Sequence, residues 1–337
     1  MKENFINYIP LKAYRYMRWK RAQDKIYRRT ASHYGNHYAK LCYDAEKAIF
    51  LHRPVEETLA ILKKRDDFIL AHVETKCANV IKQASSYPTS SGAVQDSDRP
   101  IWVFWWTGEE DAPEIVKACI KSIRRNANKH DVIFLSRDNV FNYVEIPEWI
   151  NQKHAHGEIG HAHYSDMIRL SLLAKYGGVW IDATVFLSQP LPENLFSADF
   201  YTAKSVDNNA FYFSRSRWVG YFLAGSCHFP LFSFVRDMLY EYWQDTDEII
   251  AYLLMDYLFD IAYRNLPAVK NAMDVLPNNN LMRGKLMNEL NAPYSQELFD
   301  ALQTGETFLS KLSWRYGNPV VATKDGKQTN YGYLLTL

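Results

Sequence analysis

The sequence predicts an α/β protein with a mixed, mostly parallel sheet, preceded by a helical N-terminal region. Hydrophobic residues make up 47% of the 337 residues, with only 14 Gly and 13 Pro, so the chain can bury a large core. Apolar residues recur at helical spacing between residues 33 and 84, whereas short apolar strands alternate with helices from residue 101 onward. Alternation of this kind is typical of a largely parallel sheet and excludes a collagen-like or mostly disordered protein.

The N-terminal region carries most of the positive charge. The net charge of +1 divides into +8 for residues 1–40, which hold ten basic and two acidic residues, and −7 for the other 297. On a helix, the basic side chains of residues 12–29 gather opposite an apolar and aromatic face that consists of Tyr16, Trp19, Ile26 and Tyr27. This basic arm predicts contact with an anionic membrane surface, or packing of its aromatic face on the protein body. No nucleic-acid partner is expected, because no DNA- or RNA-reading motif follows.

Cysteine usage and hydropathy favour a cytoplasmic protein, peripheral to the inner face of the membrane at most. The four cysteines form no CxxC pair, which suggests a reducing compartment. Met1–Pro10 is too short and too polar for a signal peptide. The longest uncharged run, Trp218–Val235, contains Gly, Ser, His and Pro and predicts a strand, a turn and a helix of a core instead of a membrane span.

A Ser- and Pro-rich stretch from Ser85 to Pro100 is the predicted linker. We therefore assign residues 1–95 to the helical region with the basic arm and 96–337 to a second domain, whose halves meet at about residue 200. Its predicted strands are Ile101–Trp106, Asp131–Ser136, Val179–Val185, Phe200–Ser205 and Ala210–Ser214. Its predicted helices are Pro113–Asn126, Tyr164–Tyr176, Leu231–Gln244 and Glu248–Arg264, followed by a polar, irregular tail.

Polar residues that could bind a ligand or take part in catalysis flank the third predicted strand. Asp166 and Arg169 lie three residues apart and share a helix face. Gly177 and Gly178 let the chain leave that helix, and Asp182 and Thr184 share one face of the next strand. Acids and an arginine at the carboxyl edge of a sheet could hold sugar hydroxyls, a diphosphate or a divalent metal. Taken singly, each part also fits a structural ion pair or a hydrogen-bonded strand aspartate.

This stretch resembles the signature of GT-A-fold sugar transferases, and more closely that of capsular polysaccharide synthesis glycosyltransferases, relatives of glycosyltransferase family 32. The resemblance extends to the opening block Ile101–Gly108, the core block Tyr176–Val185, Asp256-Tyr257 and the late block Lys311–Arg315. It implies a GT-A-like nucleotide-sugar-binding fold, with a donor half at about 100–200 and an acceptor half at about 200–337.

The resemblance also implies roles for individual residues. Trp106 would stack on the nucleotide base, beside Thr107, and Asp166 and Arg169 would contact the donor sugar and its diphosphate. Asp182 would bind hydroxyls and help to place a metal. The remaining donor-site residues are Gly178, Thr184, Ser313 and Trp314. Asp256 is the candidate acid on the acceptor side, or else a surface aspartate of a helix.

Thr184 departs from the wider pattern, where an acidic metal ligand is usual. A hydroxyl replaces a charged oxygen poorly, so Mg²⁺ or Mn²⁺ would be held by Asp182, with Thr184 acting through water, by the diphosphate, or by another acid. Alternatively, cationic side chains would stand in for the metal. The histidines at 154, 156, 161 and 163 invite a zinc site, but acid or cysteine partners are not evident. We expect His163 to line the donor or acceptor pocket.

The resemblance implies transfer of a sugar from a nucleoside-diphosphate donor to a surface or capsular glycan. We expect the donor to be a UDP-sugar, and the acceptor could be lipid-linked. Family 32 relatives are retaining, which favours retention here. Two other classes stay open: a catalytically silent glycan-binding scaffold, motivated by Thr184, and a phosphosugar transferase. The sequence does not identify the sugar, the acceptor or the oligomeric state.

Overall fold

The protein, described by a computed structural model, divides into a helical unit and an α/β unit. The structure describes residues 11–87, 99–206, 210–315 and 319–337. The helical unit consists of the described residues up to Thr75 together with Glu248–Tyr252, and the α/β unit consists of those in Lys76–Asp247 and Leu253–Leu337. Residues 88–98, most of the predicted linker, lie outside the described residues. The boundary at 95/96 therefore stays a prediction.

The helical unit contains α1 (Leu11–Phe50) and α2 (Val55–Lys76), which ends one residue into the second unit. Helix α1 is interrupted at Gly35, whose φ of 85° and ψ of 161° are not helical, and the chain doubles back there. The aromatic face of the basic arm packs on the second half of α1, with the rings of Trp19 and Phe50 stacked 4.7 Å apart. The basic side chains of the arm are exposed: Arg15, Arg18, Arg21, Lys25, Arg28 and Arg29.

The α/β unit contains a five-stranded sheet and a two-stranded sheet. The strands are β1 (Ile101–Phe104), β2 (Val132–Leu135), β3 (Gly178–Ile181), β4 (Val185–Leu187), β5 (Phe200–Thr202), β6 (Phe222–Gly225) and β7 (Leu309–Lys311). The large sheet has the order β2-β1-β3-β6-β5, and β4 pairs with β7. Only β6 opposes the other four strands of the large sheet, so the predicted mixed, mostly parallel α/β fold is confirmed.

Helices of the α/β unit cover the sheets and complete the core. They are α3 (Ala78–Lys82), α4 (Glu114–Arg125), α5 (Glu148–Ala155), α6 (His161–Tyr176), α7 (Pro230–Gln244), α8 (Leu254–Asn265), α9 (Pro267–Val275), α10 (Lys285–Asn288), α11 (Gln296–Thr304) and α12 (Asn330–Leu334). Helix α4 is amphipathic and buries Ile115, Cys119 and Ile123 in the core cluster that also holds the apolar residues of β1 and β3. None of the described helices combines the length and the apolarity needed to cross a bilayer.

Four details of the predicted order are wrong. Val179–Val185 is two strands in different sheets, because its apolar flanks are buried on both sides of a polar turn and hydropathy does not mark the break. The described residues of 210–214 form turns. The helix predicted from Glu248 begins at Leu254, since Glu248–Tyr252 belongs to the helical unit. The tail predicted as irregular contains α9 to α12 and β7.

Candidate active site

Asp182 follows the end of β3, where the chain leaves the five-stranded sheet. Residues 182–184 form a turn, closed by a 2.8 Å hydrogen bond that the Val185 amide donates to the Asp182 carbonyl, and β4 then joins the second sheet. Trp106 follows β1, the parallel neighbour of β3. Both residues therefore lie at the carboxyl edge of parallel strands, where α/β sheets bind their ligands.

Arg169 on α6 joins the two acids that the sequence singled out. Its guanidinium lies 3.2 Å from Asp166 Oδ1 and 3.1 Å from Asp182 Oδ1, and it donates a 2.7 Å hydrogen bond to the Gly220 carbonyl. The group also lies over the ring of Trp180, 4.9 Å from the ring centroid. Its side chain is 7% exposed, so these contacts fix its orientation. The structure thus brings Asp166, Arg169 and Asp182 together.

Lys311 closes the other side of Asp182. It is the last residue of β7 and pairs with Val185 of β4, directly after the turn. Its Nζ donates to Asp182 Oδ2 at 2.9 Å and to Thr184 Oγ1 at 2.6 Å. The ammonium lies 5.0 Å from the centroid of the Tyr221 ring, within the range of a cation–π contact. Asp182 and Thr184 therefore share a partner, although they lie in a turn and not on one strand face.

The charged form of Asp182 is favoured by its neighbours. Burial alone acts most strongly and opposes the charge, but Lys311, Arg169 and the indole of Trp180 together outweigh it, so the pKa of Asp182 is lowered. The Trp180 Nε1 donates a 2.9 Å hydrogen bond to Asp182 Oδ1. Since the side chain is still 25% exposed, this carboxylate can meet a ligand as an anion.

The residues around Asp182 do not fit a divalent metal ion. Both carboxylate oxygens are engaged, Oδ1 by Arg169 and Trp180 and Oδ2 by Lys311, and the same ammonium occupies the hydroxyl of Thr184. A metal bound between Asp182 and Thr184 would have to share its position with a lysine. Within the described part of the chain, no three His, Cys, Asp or Glu side chains cluster closely enough to hold a metal.

Two further acids near the site have pKa values above the ordinary value of an aspartate. Burial raises the pKa of Asp166 to about 6, although Arg169 lowers it. Burial also raises the pKa of Asp256, on α8, to about 7, and the charge of Asp166 adds to that effect. Trp218 donates a 3.1 Å hydrogen bond to Asp256 Oδ1 and opposes the shift. Asp256 thus belongs to the electrostatic surroundings of Asp166 and can exchange a proton near neutral pH.

Aromatic rings surround Trp106 and Trp314. The Trp106 ring lies 4.9 Å from the ring of His154 and 5.7 Å from that of Tyr164, two residues before Asp166 on α6. The exposed Trp314 contacts Trp105 edge-to-face at 5.8 Å, which brings the block after β7 to the end of β1. These contacts leave both tryptophans of the predicted donor site at the edge that carries Asp182.

The other predicted site residues have simpler surroundings. Thr107 is exposed after β1, and Ser313 accepts a 3.2 Å hydrogen bond from the Arg315 amide. Gly178 lies at the start of β3, whereas Asp182 follows the end of that strand. A Cβ on Gly178 would lie 2.3 Å from the Pro100 carbonyl oxygen, so packing alone requires glycine there. A donor contact by these three residues stays a prediction.

The histidines before and on α6 form a paired cluster. His154 Nε2 lies 2.9 Å from His161 Nδ1, and the His154 ring stacks on Tyr164 at 3.9 Å. Burial, aided by His161, lowers the pKa of His154 to about 4. His163 is buried beside Asp166, with Nδ1 3.7 Å from Oδ2, and burial lowers its pKa to about 4 as well. Both rings are therefore neutral near pH 7. His163 lies beside Asp166, and its place in a donor or acceptor pocket stays a prediction.

Sequence reasoning did not assign Lys311, Trp180 or Tyr221 to the site. Lys311 is the first residue of the late block that carries the family resemblance. Its positive charge at that position was the signal that could have assigned it to the site. Trp180 is two residues before Asp182 and resembled a core residue. Tyr221 gave no signal, because β6, whose first residue follows it, meets β3 only through the antiparallel pairing of the folded sheet.

Comparison with known proteins places the chain in a family. The family model described as "Capsular polysaccharide synthesis protein" matches residues 52–332. The chain belongs to the capsular polysaccharide synthesis family. This membership confirms the resemblance drawn from the sequence, and the mixed sheet agrees with the predicted fold class.

Two individual proteins are similar to this member of the capsular polysaccharide synthesis family. The "O-glycosyltransferase braB" of Annulohypoxylon truncatum is 37% identical over 100 residues, which cover 27% of this chain and 24% of that protein. The chain thus matches about a quarter of the length of that curated relative. The apo structure of the WbbM bifunctional glycosyltransferase aligns over 73% of this chain and 51% of that chain, with 10% identity and a TM-score of 0.35.

Proposed function

We propose that the chain is a glycosyltransferase that moves a sugar from a nucleoside-diphosphate donor, UDP-linked, to a surface or capsular glycan. The observation that carries the proposal is the charged Asp182, held between Arg169 and Lys311 at the carboxyl edge of β3. Cations stabilise a departing diphosphate, and a carboxylate accepts hydrogen bonds from sugar or ribose hydroxyls. Membership of the capsular polysaccharide synthesis family supports the class of acceptor.

The donor would lie along the edge formed by the ends of β1 and β3. Its base would stack on Trp106, whose ring is only partly buried, and Trp314 would cover the diphosphate from the block after β7. Asp182 would accept hydrogen bonds from the sugar or ribose. Arg169 would oppose the negative charge that develops on the leaving diphosphate, and its fixed orientation avoids a rearrangement during the reaction.

The acceptor would approach from the side of Asp256. With a pKa of about 7, this acid can orient an acceptor hydroxyl as a hydrogen-bond acceptor or donor at neutral pH. The family resemblance favours retention of the anomeric configuration, in which leaving-group stabilisation matters more than a strong base. NMR of the anomeric proton in the product tests this point, and an inverted product would assign Asp256 the role of general base.

The decisive experiment is product analysis with the purified protein. We expect one or more members of a nucleotide-sugar panel, with a UDP-sugar among them, to be consumed in the presence of a capsular oligosaccharide, with release of the nucleoside diphosphate. Release of a nucleoside monophosphate would indicate a phosphosugar transferase. Binding of the glycan without consumption of any donor would indicate a silent scaffold, and either result would reject the proposed activity.

We further propose that the basic arm directs the chain to an anionic membrane surface on the cytoplasmic side, where a lipid-linked acceptor would be found. The rings of its apolar face pack within α1, whereas Ile26 and the basic side chains are exposed, so charge is the main means of attachment. Replacing Arg18, Arg21, Lys25 and Arg28 by Gln should abolish sedimentation with phosphatidylserine vesicles, since each basic residue contributes about 1 kcal/mol. The control replaces the exposed Lys63 and Lys64 of α2 by Gln. Equal vesicle binding by both variants would reject this role of the arm.

A further inference from the structure

We infer that Lys311 takes the place of a divalent metal ion in this protein and that its ammonium group binds the diphosphate of the donor directly. The inference rests on the proposed function, because it specifies how the same site holds the donor. It assigns a binding role to a residue that lies far from Asp182 in sequence. Its support comes from strand register, from the charge of the turn and from the third N–H donor of the ammonium group.

Strand register places Lys311 firmly at the turn. The residue pairs with Val185 across β4 and β7, and its amide donates a 2.8 Å hydrogen bond to the Arg283 carbonyl. The next amide, that of Leu312, donates a 2.9 Å hydrogen bond to the carbonyl of Thr184. The backbone on both sides of the Lys311 Cα is therefore tied, once to the segment before α10 and once to the turn itself. This anchoring fixes the Cα of Lys311, and the contacts of Nζ with Asp182 and Thr184 then fix the ammonium group.

The charge of the turn matches an ammonium ion. A pair of aspartates at 182 and 184 would carry two negative charges and would suit a divalent cation. With Thr184 the turn carries the single charge of Asp182, which a monovalent cation neutralises. Lys311 Nζ contacts both side chains, at 2.9 Å and 2.6 Å, and so sits where a metal shared by them would have to bind. Thr184 is thus consistent with an active site that has exchanged a metal for a lysine.

The ammonium group keeps capacity for a ligand. Lysine has three N–H donors, and two of them are used by Asp182 and Thr184. The side chain is 30% exposed, whereas that of Arg169 on the other side of Asp182 is 7% exposed. The Tyr221 ring supports the ammonium from one side. The third N–H is therefore available to a phosphate oxygen, as a charge-assisted hydrogen bond.

The test compares nucleotide binding by titration calorimetry, in EDTA and in MgCl₂ or MnCl₂. The probes are UDP, GDP, dTDP and ADP, followed by the monophosphate of whichever diphosphate binds. The variants are Lys311→Met, which keeps the length without the charge, Lys311→Arg, which keeps the charge, and the control Lys121→Met on the exposed side of α4. Circular dichroism of each variant establishes that the fold is intact.

We expect the wild-type protein to bind the diphosphate equally well in EDTA and with metal. Lys311→Met should weaken binding of the diphosphate by about tenfold to a hundredfold, the range for a hydrogen bond to a charged group. The affinity for the monophosphate should stay nearly unchanged. Lys311→Arg should retain most of the affinity, and Lys121→Met all of it. The folded variants thereby separate a phosphate contact from a general structural effect, which would weaken both nucleotides alike.

Two results would overturn the inference while the proposed transferase survives: diphosphate binding by the wild type that requires Mg²⁺ or Mn²⁺, or equal losses of diphosphate and monophosphate affinity in Lys311→Met. Failure of the wild type to bind any of the four diphosphates would instead reject the proposed donor class, and this inference with it. A metal-independent wild type whose diphosphate affinity depends on the charge at position 311 supports both.

Discussion

The region around Asp182 and the region around Asp256 treat a buried carboxyl group in opposite ways. Asp182 receives contacts from Arg169, Lys311 and the Trp180 indole, and its pKa is lowered. Asp256 receives one indole hydrogen bond, from Trp218, and its pKa rises to about 7. Burial opposes the charge in both places, so the difference comes from the cations.

Arg217, the cation that lowers the pKa of Asp256, contacts other partners more closely. Arg217 lies over the Trp218 ring at 4.2 Å and donates a 2.8 Å hydrogen bond to Asp260. Its charge lowers the pKa of Asp256 less than burial, Asp166 and the hydrogen bonds from Trp218 and Ser214 change that pKa. The negative charge of Asp166 acts in the opposite sense. Asp182 therefore stays charged near neutral pH, whereas Asp256 can gain and lose a proton there.

Removing the charge of Asp182 should have the largest effect on activity. Asp182→Asn keeps the shape but leaves Arg169 and Lys311 without their shared anion, so both cations lose their set positions. We expect kcat/KM for sugar transfer to fall about a hundredfold to a thousandfold, the range for loss of a preorganised electrostatic contact. Asp111→Asn, at an exposed position, is the matched control. Full activity in Asp182→Asn would show that sugar transfer does not need the charge of Asp182, and the contrast with Asp256 would then have no functional meaning.

Removing the charge of Asp256 should change the pH dependence of stability. The folded pKa of about 7 exceeds the ordinary value of 3.8, so between these values the folded state holds a proton that the unfolded state has lost. The contribution of Asp256 to the free energy of unfolding should therefore fall as pH rises through this window, by roughly 2 kcal/mol between pH 5 and pH 7.5. His154 and His163, whose pKa values are lowered to about 4, contribute in the opposite sense. Asp256→Asn should lack the contribution of Asp256 and keep those of Asp166 and the two histidines, so the difference in stability between wild type and variant should shrink by this amount as pH rises.

The measurement for Asp256 is urea denaturation at several pH values. Asp111→Asn should keep the wild-type dependence on pH. If the free energy of unfolding depends on pH in the same way in Asp256→Asn as in the wild type, Asp256 is ionised throughout the range and the contrast with Asp182 disappears.

Replacing Trp180 should have the smallest of these effects and would sharpen the comparison. Trp180→Phe keeps an aromatic surface under Arg169 but removes the 2.9 Å hydrogen bond to Asp182. We expect transfer activity to fall about tenfold, because a hydrogen bond to a charged group contributes about 1.5 kcal/mol at the lower end of its range. A loss as large as that of Asp182→Asn would mean that the indole, and not the cations, keeps the carboxylate charged.

Much of the donor side could be predicted from the sequence because its residues are close together in the chain. Asp166 and Arg169 share one helix, and the diglycine leads directly from that helix into the strand before Asp182. Local periodicity and turn chemistry suffice for such a group. The mixed, mostly parallel fold class and the family resemblance are confirmed for the same reason, since the alternation of strands and helices is itself local.

The parts that were missed depend on long-range pairing. Lys311 reaches Asp182 only because β7 pairs with β4, across more than a hundred residues of sequence. The break between β3 and β4 was hidden, since both strands are apolar and buried. The segment after Arg264 contains enough polar residues to resemble a loop, yet four helices and β7 bury its scattered apolar side chains. Hydropathy along the chain does not record which segments meet.

The pairing of β4 with β7 has a consequence for the biosynthesis of the protein. A ribosome delivers the chain from its N-terminus, and domains fold as their residues emerge. The five strands of the large sheet are all complete by Gly225, whereas Lys311, the cation that faces Asp182, is synthesised much later. A nascent chain that ends between these two points holds every strand of the central sheet but lacks the cation that we propose as the diphosphate ligand.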